Sequence, residues 1–294
     1  MKLLPSWLSG KPKVKQPAAL AGTEVAAIRD TRGFDHGVII DPKRHQATLL
    51  ARLDSDFDGE SWQQFAASIA SDTDLTALAR VTGDGATIVS ATFTATEKKD
   101  RKDQSAFLAS RAVQADSLMT SATSNGVGLN PLDKQDVIAF AWHIWADAPA
   151  GAQWPPVTDD VAESDRDITL VHGRTETIAA TFEADIEDAM ELDETLRQIA
   201  ESAGDVMRYT QILRPAMPEL NDPDVAGRTV GLVTIFGETA RDVDEETSGL
   251  LDAVSAFGRL RMHRMQQRQQ VGLIACAGLG ALPWQQLALT GKAA

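Results

Sequence analysis

The period of apolar and polar positions changes several times along the 294-residue chain, and each change marks an element. Residues 36–40 and 46–53 are β-prone runs on either side of Asp41-Pro42-Lys43-Arg44. Proline at the second turn position predicts a hairpin there. Trp62, Phe65, Ala66 and Ile69 then fall at helical spacing from about Glu60, with Ser61 and Gln64 as a capping box. Residues 87–96 alternate, Val89, Ala91, Phe93 and Ala95 against Ser90, Thr92 and Thr94, which is the period of a half-exposed strand. The charged stretch 98–103 opens a helix carrying Leu108, Ala112, Ala115, Met119 and Ala122 on one side. Residues 136–145 are apolar on both faces and read as a covered central strand.

After the irregular stretch 148–156 the same order returns. Residues 167–171 and 175–182 bracket a turn at His172-Gly173-Arg174, and a helix over about 186–204 buries Ile186, Ala189, Met190, Leu196, Ile199 and Ala203. Strands follow at 206–213, closed by Pro215 and Pro218, and at 229–236. A helix over 243–257 has Asp242 and Glu245 as its start signal and Gly258 as its stop. A basic strand over 259–265 leads into a glycine- and alanine-rich helix over 268–283.

Both halves therefore read hairpin, helix, strand, helix, strand. The expected fold is α/β of the α+β kind: two related lobes of antiparallel sheet with helices packed on one face. The expected organisation is a flexible tail over 1–23, a first lobe over 24–148, a connector over 149–165 and a second lobe over 166–294. Trp7 and Leu8 read as an ordinary frayed terminus, with a docking element as the alternative.

Composition narrows the function more than the fold. The net charge of −14 argues against general nucleic-acid binding, which needs a basic face for phosphates. The single cysteine, Cys276, excludes an intramolecular disulfide, fits a reducing cytosol, and sits in an apolar run as a small buried hydrophobe. The longest apolar run, 271–284, is shorter than the roughly 20 residues of a spanning helix, so no transmembrane segment is expected, and the amino terminus lacks the features of a secretory signal.

Motifs for catalysis are missing. Neither Gly10-Lys11 nor Gly291-Lys292 continues as a phosphate-binding loop, and the Gly-x-Gly sequences lack a third glycine. The five histidines have no ligand spacing, and His143 reads as a core or subsurface residue. Acidic pairs such as Asp159-Asp160 carry no signal in so acidic a chain. Asp54, Asp56 and Asp58, followed by Gly59, open like a calcium loop, but its twelfth position holds Phe65 in place of a bidentate glutamate; an acidic loop ahead of a helix explains the run as well. The remaining feature is the basic strand, which places Arg259, Arg261 and His263 on one face, extended by Arg264, Arg268 and Gln269. It reads either as a docking surface for an acidic partner or as a solvated edge paired with the chain's own carboxylates.

The order of segments resembles the N-terminal, non-motor region of actinobacterial conjugation-type ATPases of type IV secretion systems. The matching pieces are 38–53, 167–182, Arg208-Tyr209-Thr210-Gln211-Ile212-Leu213-Arg214-Pro215, 229–236, the basic strand and Arg268-Gln269-Gln270-Val271 onward. The motor domain is absent, the aromatic after the basic strand is replaced near Met265, and Leu282-Pro283 falls later than in the family. The resemblance implies a non-catalytic assembly subunit without a cofactor, cytoplasmic and peripheral at the inner face of the cell membrane. It would dock a P-loop ATPase motor chain to inner-membrane secretion subunits through Arg259, Arg261, Arg264, Arg268 and Gln269. The alternatives left open are a calcium- or ligand-sensing module and an enzyme whose site forms only in three dimensions.

Overall fold

A computed structural model describes residues 20, 22–54, 59–72, 74–143, 151–154, 169–172, 176–187, 189–215, 228–266, 268–282 and 284. After β1 (Glu24–Arg29), a first repeat runs β2 (Asp35–Asp41), β3 (Gln46–Leu53), α1 (Gly59–Ile69), β4 (Leu75–Gly83), β5 (Ala86–Thr94), α2 (Gln104–Ser124), β6 (Leu129–Pro131) and α3 (Lys134–His143). The second repeats this order as β7 (Thr169–His172), β8 (Glu176–Asp185), α4 (Met190–Ser202), β9 (Met207–Arg214), β10 (Arg228–Gly237) and α5 (Ala240–Ala253). A short α6 (Ala256–Leu260), then β11 (Met262–Arg264) and α7 (Gln269–Cys276), complete it.

The strands form one antiparallel sheet in the order β1-β2-β3-β5-β4-β9-β10-β8-β11, with β6 also on β3 and β7 also on β8. The repeats correspond strand by strand: β3 is flanked by β5 on one side and by β2 and β6 on the other, as β8 is by β10, β7 and β11. They meet at β4 and β9, where Arg80 lies opposite Gln211 near the centre of the paired stretch from Leu78↔Leu213 to Thr82↔Tyr209. A local twofold relation between the repeats passes close to that pair.

Among the described residues, α1, α2, α4 and α5 cover one face. Trp62, Phe65 and Ile69 of α1, with Phe107, Leu118 and Met119 of α2, pack on Val38, Leu49, Ala91 and Phe93. In the second repeat Leu192 and Leu196 of α4, with Val243 and Leu250 of α5, pack on Ala180, Phe182, Val233 and Ile235. Each large side chain so buried contributes roughly 1.5–3 kcal/mol. The antiparallel α+β class is the expected one, but helices also cover the second face. There α3 packs Val137 and Ile138 against Ile39, and α7 brings Leu273 and Ile274 to the same cluster. Gly278 and Gly280 let the chain after α7 pass close over Ser90 and Thr48, where an added Cβ would lie 3.0 and 2.3 Å from their hydroxyl oxygens.

Several expectations need correction. Residues 134–143 are helix α3, not a central strand, because a short run apolar on both faces suits either state. Its start is fixed by Asp133, whose Oδ1 accepts from the amides of Gln135 and Asp136, while Asp136 accepts from the Asp133 amide. α1 begins at Gly59, ahead of the expected Ser61 cap, and Gln64 bonds Glu60. α5 starts three residues before the expected position through a reciprocal Thr239–Asp242 capping box. β4 was not anticipated: Leu75-Thr76-Ala77-Leu78-Ala79-Arg80-Val81-Thr82 is buried on both faces, so the period-2 signal is lost. The expected basic strand is broken by Ser255, which accepts from the Gly258 amide and starts α6; only residues 262–264 are strand. Residues 1–19, most of the connector, and the turn residues Gly173 and Arg174 lie outside the described residues.

Candidate functional site

The helix layer divides at the junction of the repeats. Between α1 and α4, over β4 and β9, an open cleft of about 1740 Å³ runs from the edge formed by the β4–β5 turn at Gly83–Ala86 and the end of β3 toward Thr229. α1 and the residue that follows it line one side with Gln63, Ala66, Ala67 and Ala70, and α4 the other with Met190, Asp193, Glu194, Arg197 and Glu201. Spacings of three and four residues put each set on one stripe of its helix.

The floor is a polar network built from both repeats. The fourth residues of α1 and α4, Trp62 and Asp193, take corresponding positions, and Gln211 bridges them: Trp62 Nε1 donates to its Oε1 at 3.2 Å, and its Nε2 donates to Asp193 Oδ2 at 3.0 Å. Tyr209, the chain's only tyrosine, donates to Asp193 Oδ1 at 2.5 Å. The Arg80 guanidinium lies 5.1 Å from the Trp62 ring centroid, with Nη2 3.8 Å from Asp193 Oδ2. The side chains of Arg80 and Asp193 are 7% and 18% exposed, so this ion pair is mostly withdrawn from water.

Burial sets the proton equilibria here. It pushes the Tyr209 phenol well above its ordinary value, and the Asp193 charge and hydrogen bond push the same way. Desolvation lowers Arg80 from the usual arginine value, with Asp193 opposing the shift. On the α4 wall, hydrogen bonds from Arg197 hold Glu194 below the usual carboxylate range against a smaller opposing effect of burial. Arg197 also bonds Glu201. Tyrosine, glutamine and arginine thus hold one carboxylate.

The sequence-predicted residues lie elsewhere. Asp54 is at the cleft's end, where its Oδ1 accepts from Asn130, while Asp56 and Asp58 lie outside the described residues. Among the described residues no three His, Cys, Asp or Glu side chains gather as a metal site. Arg259 faces Asp252 at 3.7 Å, Arg264 faces Asp244 at 3.5 Å and Arg268 faces Glu183 at 3.6 Å. Arg261 lies over the Phe257 ring and donates to the Glu187 carbonyl at 2.7 Å. Gln269 is buried: its amide donates to the Thr181 and Met265 carbonyls at 3.0 Å and accepts from the Thr181 amide at 2.6 Å, fastening α7 to β8. Gln269 is thus not a surface residue, and the arginines meet the chain's own carboxylates. Cys276 is buried as expected, and burial raises its thiol pKa. His143 is exposed at the end of α3, paired with Asp84.

Sequence reasoning did not find Arg80, Asp193, Tyr209 or Gln211, and took Trp62 only as core. An arginine within an otherwise apolar strand, and the single tyrosine one residue from another arginine, were the signals available.

No family model matches the chain, and no curated protein matches it. Among solved structures it is similar to a chitooligosaccharide oxidase, with TM-score 0.37, 10% identity, and coverage of 79% of this chain and 47% of that one. It is also similar to CrmK, a flavoenzyme involved in shunt product recycling in caerulomycin biosynthesis, with TM-score 0.36, 7% identity, and coverage of 79% and 54%. The chain thus spans about half the length of these structures. Both neighbours are enzymes, which runs against the expected non-catalytic subunit of a secretion apparatus. That expectation, and with it the expectation that the chain is not an enzyme, is withdrawn. At these TM-scores the likeness assigns no activity to this chain either. No helix among the described residues is long and apolar enough to cross a membrane.

Proposed function

We propose that the chain is a ligand-binding protein whose site is the groove between α1 and α4. The observation that supports this is the floor network. Trp62 and Arg80 from one repeat interlock with Asp193, Tyr209 and Gln211 from the other beneath an open groove of about 1740 Å³. A buried polar network with its partners in place is rigid, and a rigid floor loses little freedom when a ligand settles on it. The groove exceeds the roughly 300–1,000 Å³ of a drug-sized pocket and is open along its length, which suits an elongated ligand.

The test is thermal denaturation of the chain against a mixed library of short peptides and small organic molecules. A ligand at 100 times its dissociation constant stabilises by about 2.7 kcal/mol, readily seen as a raised midpoint. Ala67→Trp on the groove wall should abolish the shifts, whereas Val113→Trp on the exposed side of α2 should leave them. A library without stabilising compounds, or shifts indifferent to Ala67→Trp, would overturn the reading.

A further inference from the structure

Resting on the groove as the binding site, we infer the class of its occupant: an extended polypeptide segment carrying lysine or arginine side chains. Length comes first. α1 has eleven residues, so its wall is about 16 Å long at 1.5 Å per residue. An extended chain advances about 3.3 Å per residue, so about five residues lie along that wall.

Charge comes second, and the two walls differ. The α1 wall is uncharged and small where Ala66, Ala67 and Ala70 line it, leaving room for main chain and small side chains. The α4 side supplies Glu187, Glu191, Glu194 and Glu201 to the same groove. Of the three guanidinium groups in the lining, Arg80 already faces Asp193 and Arg197 already bonds Glu194 and Glu201, while Arg52 stands exposed at the end of β3, with Asp54 in the same lining. An anionic occupant lying along α4 would have to break those pairs and approach the glutamates as well, and Arg52 alone would face it from β3. A cationic one leaves the pairs intact and finds Glu187 and Glu191, both exposed, at the wall. The chain's net charge of −14 draws a cationic segment in and repels an acidic one. The small wall and the acidic wall together also give the segment an orientation, with basic side chains toward α4.

The experiment is fluorescence anisotropy with two dye-labelled pentapeptides, Gly-Lys-Ala-Lys-Gly and Gly-Glu-Ala-Glu-Gly, at low and high salt. The parent chain is compared with a Glu187→Gln/Glu191→Gln variant and with Ala67→Trp. Glu187 and Glu191 are exposed, so their neutralisation leaves the fold intact. The lysine peptide should bind, weaken about 2- to 10-fold in the double variant, weaken with salt, and lose binding in Ala67→Trp. The glutamate peptide should not bind. Equal binding of the glutamate peptide, lost in Ala67→Trp, would overturn the charge assignment and leave the groove standing. Binding of the lysine peptide that ignores Ala67→Trp would show attraction to the acidic surface at large and overturn both readings. If neither peptide binds while small molecules stabilise the chain through Ala67, the polypeptide is wrong and the groove is right.

Discussion

Removal of the Asp193 carboxylate tests the floor network most directly. In Asp193→Ala the Tyr209 hydroxyl, in a residue 1% exposed, loses its acceptor, and Arg80 loses the carboxylate facing it. Breaking a buried ion pair from one side costs about 3–5 kcal/mol. A buried hydroxyl left without a partner costs about 1–3 kcal/mol. These losses overlap, and water can enter from the open cleft because Asp193 is 18% exposed, so the expected total is about 3 kcal/mol. Asp193→Asn keeps an acceptor for Tyr209 and loses only the charge, at about 1–2 kcal/mol. The triple variant Arg80→Met, Asp193→Leu, Tyr209→Phe removes the polar groups together. It should return to within about 1 kcal/mol of the parent, because no buried charge or hydroxyl is then left alone and Gln211 is only partly buried. Equilibrium urea unfolding followed by circular dichroism, with the slope checked for constancy, gives all three values. A loss below about 1 kcal/mol in Asp193→Ala, or a triple variant as damaged as the sum of its single changes, would refute the network as described.

Two further outcomes follow from the packing and the charges. An alanine Cβ at Gly37 would stand 2.5 Å from the Asp133 carbonyl oxygen, which belongs to the backbone that starts α3, so Gly37→Ala should cost about 1–3 kcal/mol. Gly249→Ala, exposed inside α5 with nothing within 4 Å, should instead stabilise by about 0.5–1 kcal/mol, and thermal midpoints of the two will separate them by sign. At the β1–β2 turn, burial pushes the Asp30 carboxyl up. Hydrogen bonds from His36 and the Phe34 amide, with the charges of His36 and Arg32, outweigh that and hold it below its ordinary value. Asp30 therefore adds stability that is complete above the unfolded carboxylate pKa of about 3.9 and is lost as pH falls through the lower native value. Asp30→Asn should be less stable than the parent at pH 6, and the gap should close toward pH 2; a gap constant with pH would contradict this.

The parts of the fold legible in sequence are those in which one face is wet. α4 carries an apolar stripe, and Asp41-Pro42 announces its turn, where Asp41 Oδ1 accepts from the Lys43 and Arg44 amides at 2.9 and 3.1 Å. β5 is the exception: it alternates as a half-exposed strand would, yet both faces are buried, with Ser90 under Gly278 and Thr92 hydrogen-bonded to Thr48. β4 was missed because burial on both faces removes its period, and α3 was mistyped because its apolar run 137–142 goes all round the helix although only Val137, Ile138 and Ala141 are buried. The candidate site was illegible for a related reason. Its members are far apart in sequence, Trp62 and Arg80 from one repeat and Asp193, Tyr209 and Gln211 from the other. None belongs to a local motif, and only the β4–β9 pairing brings them together. The arginines from 259 to 268 are close in sequence, but the Ser255 cap places Arg259 in α6, Arg261 follows as its C-cap and Arg264 lies in β11.

The seam at β4 and β9 has a consequence for how the chain reaches its native state. Synthesis completes the first repeat before β9 exists, so β4 spends that interval as the open edge of a half-sheet. Such an edge is a template for pairing with any other nascent chain. Leu75-Thr76-Ala77-Leu78-Ala79-Arg80-Val81-Thr82-Gly83 contains one charged side chain, and it is Arg80. A lone cation in an apolar edge strand discourages edge-to-edge association between identical copies, since each would bring its own like charge to the contact. When β9 arrives with Gln211 opposite, and α4 with Asp193, that cation is neutralised and covered. The residue that guards the unfinished molecule thus becomes part of the floor of the finished one.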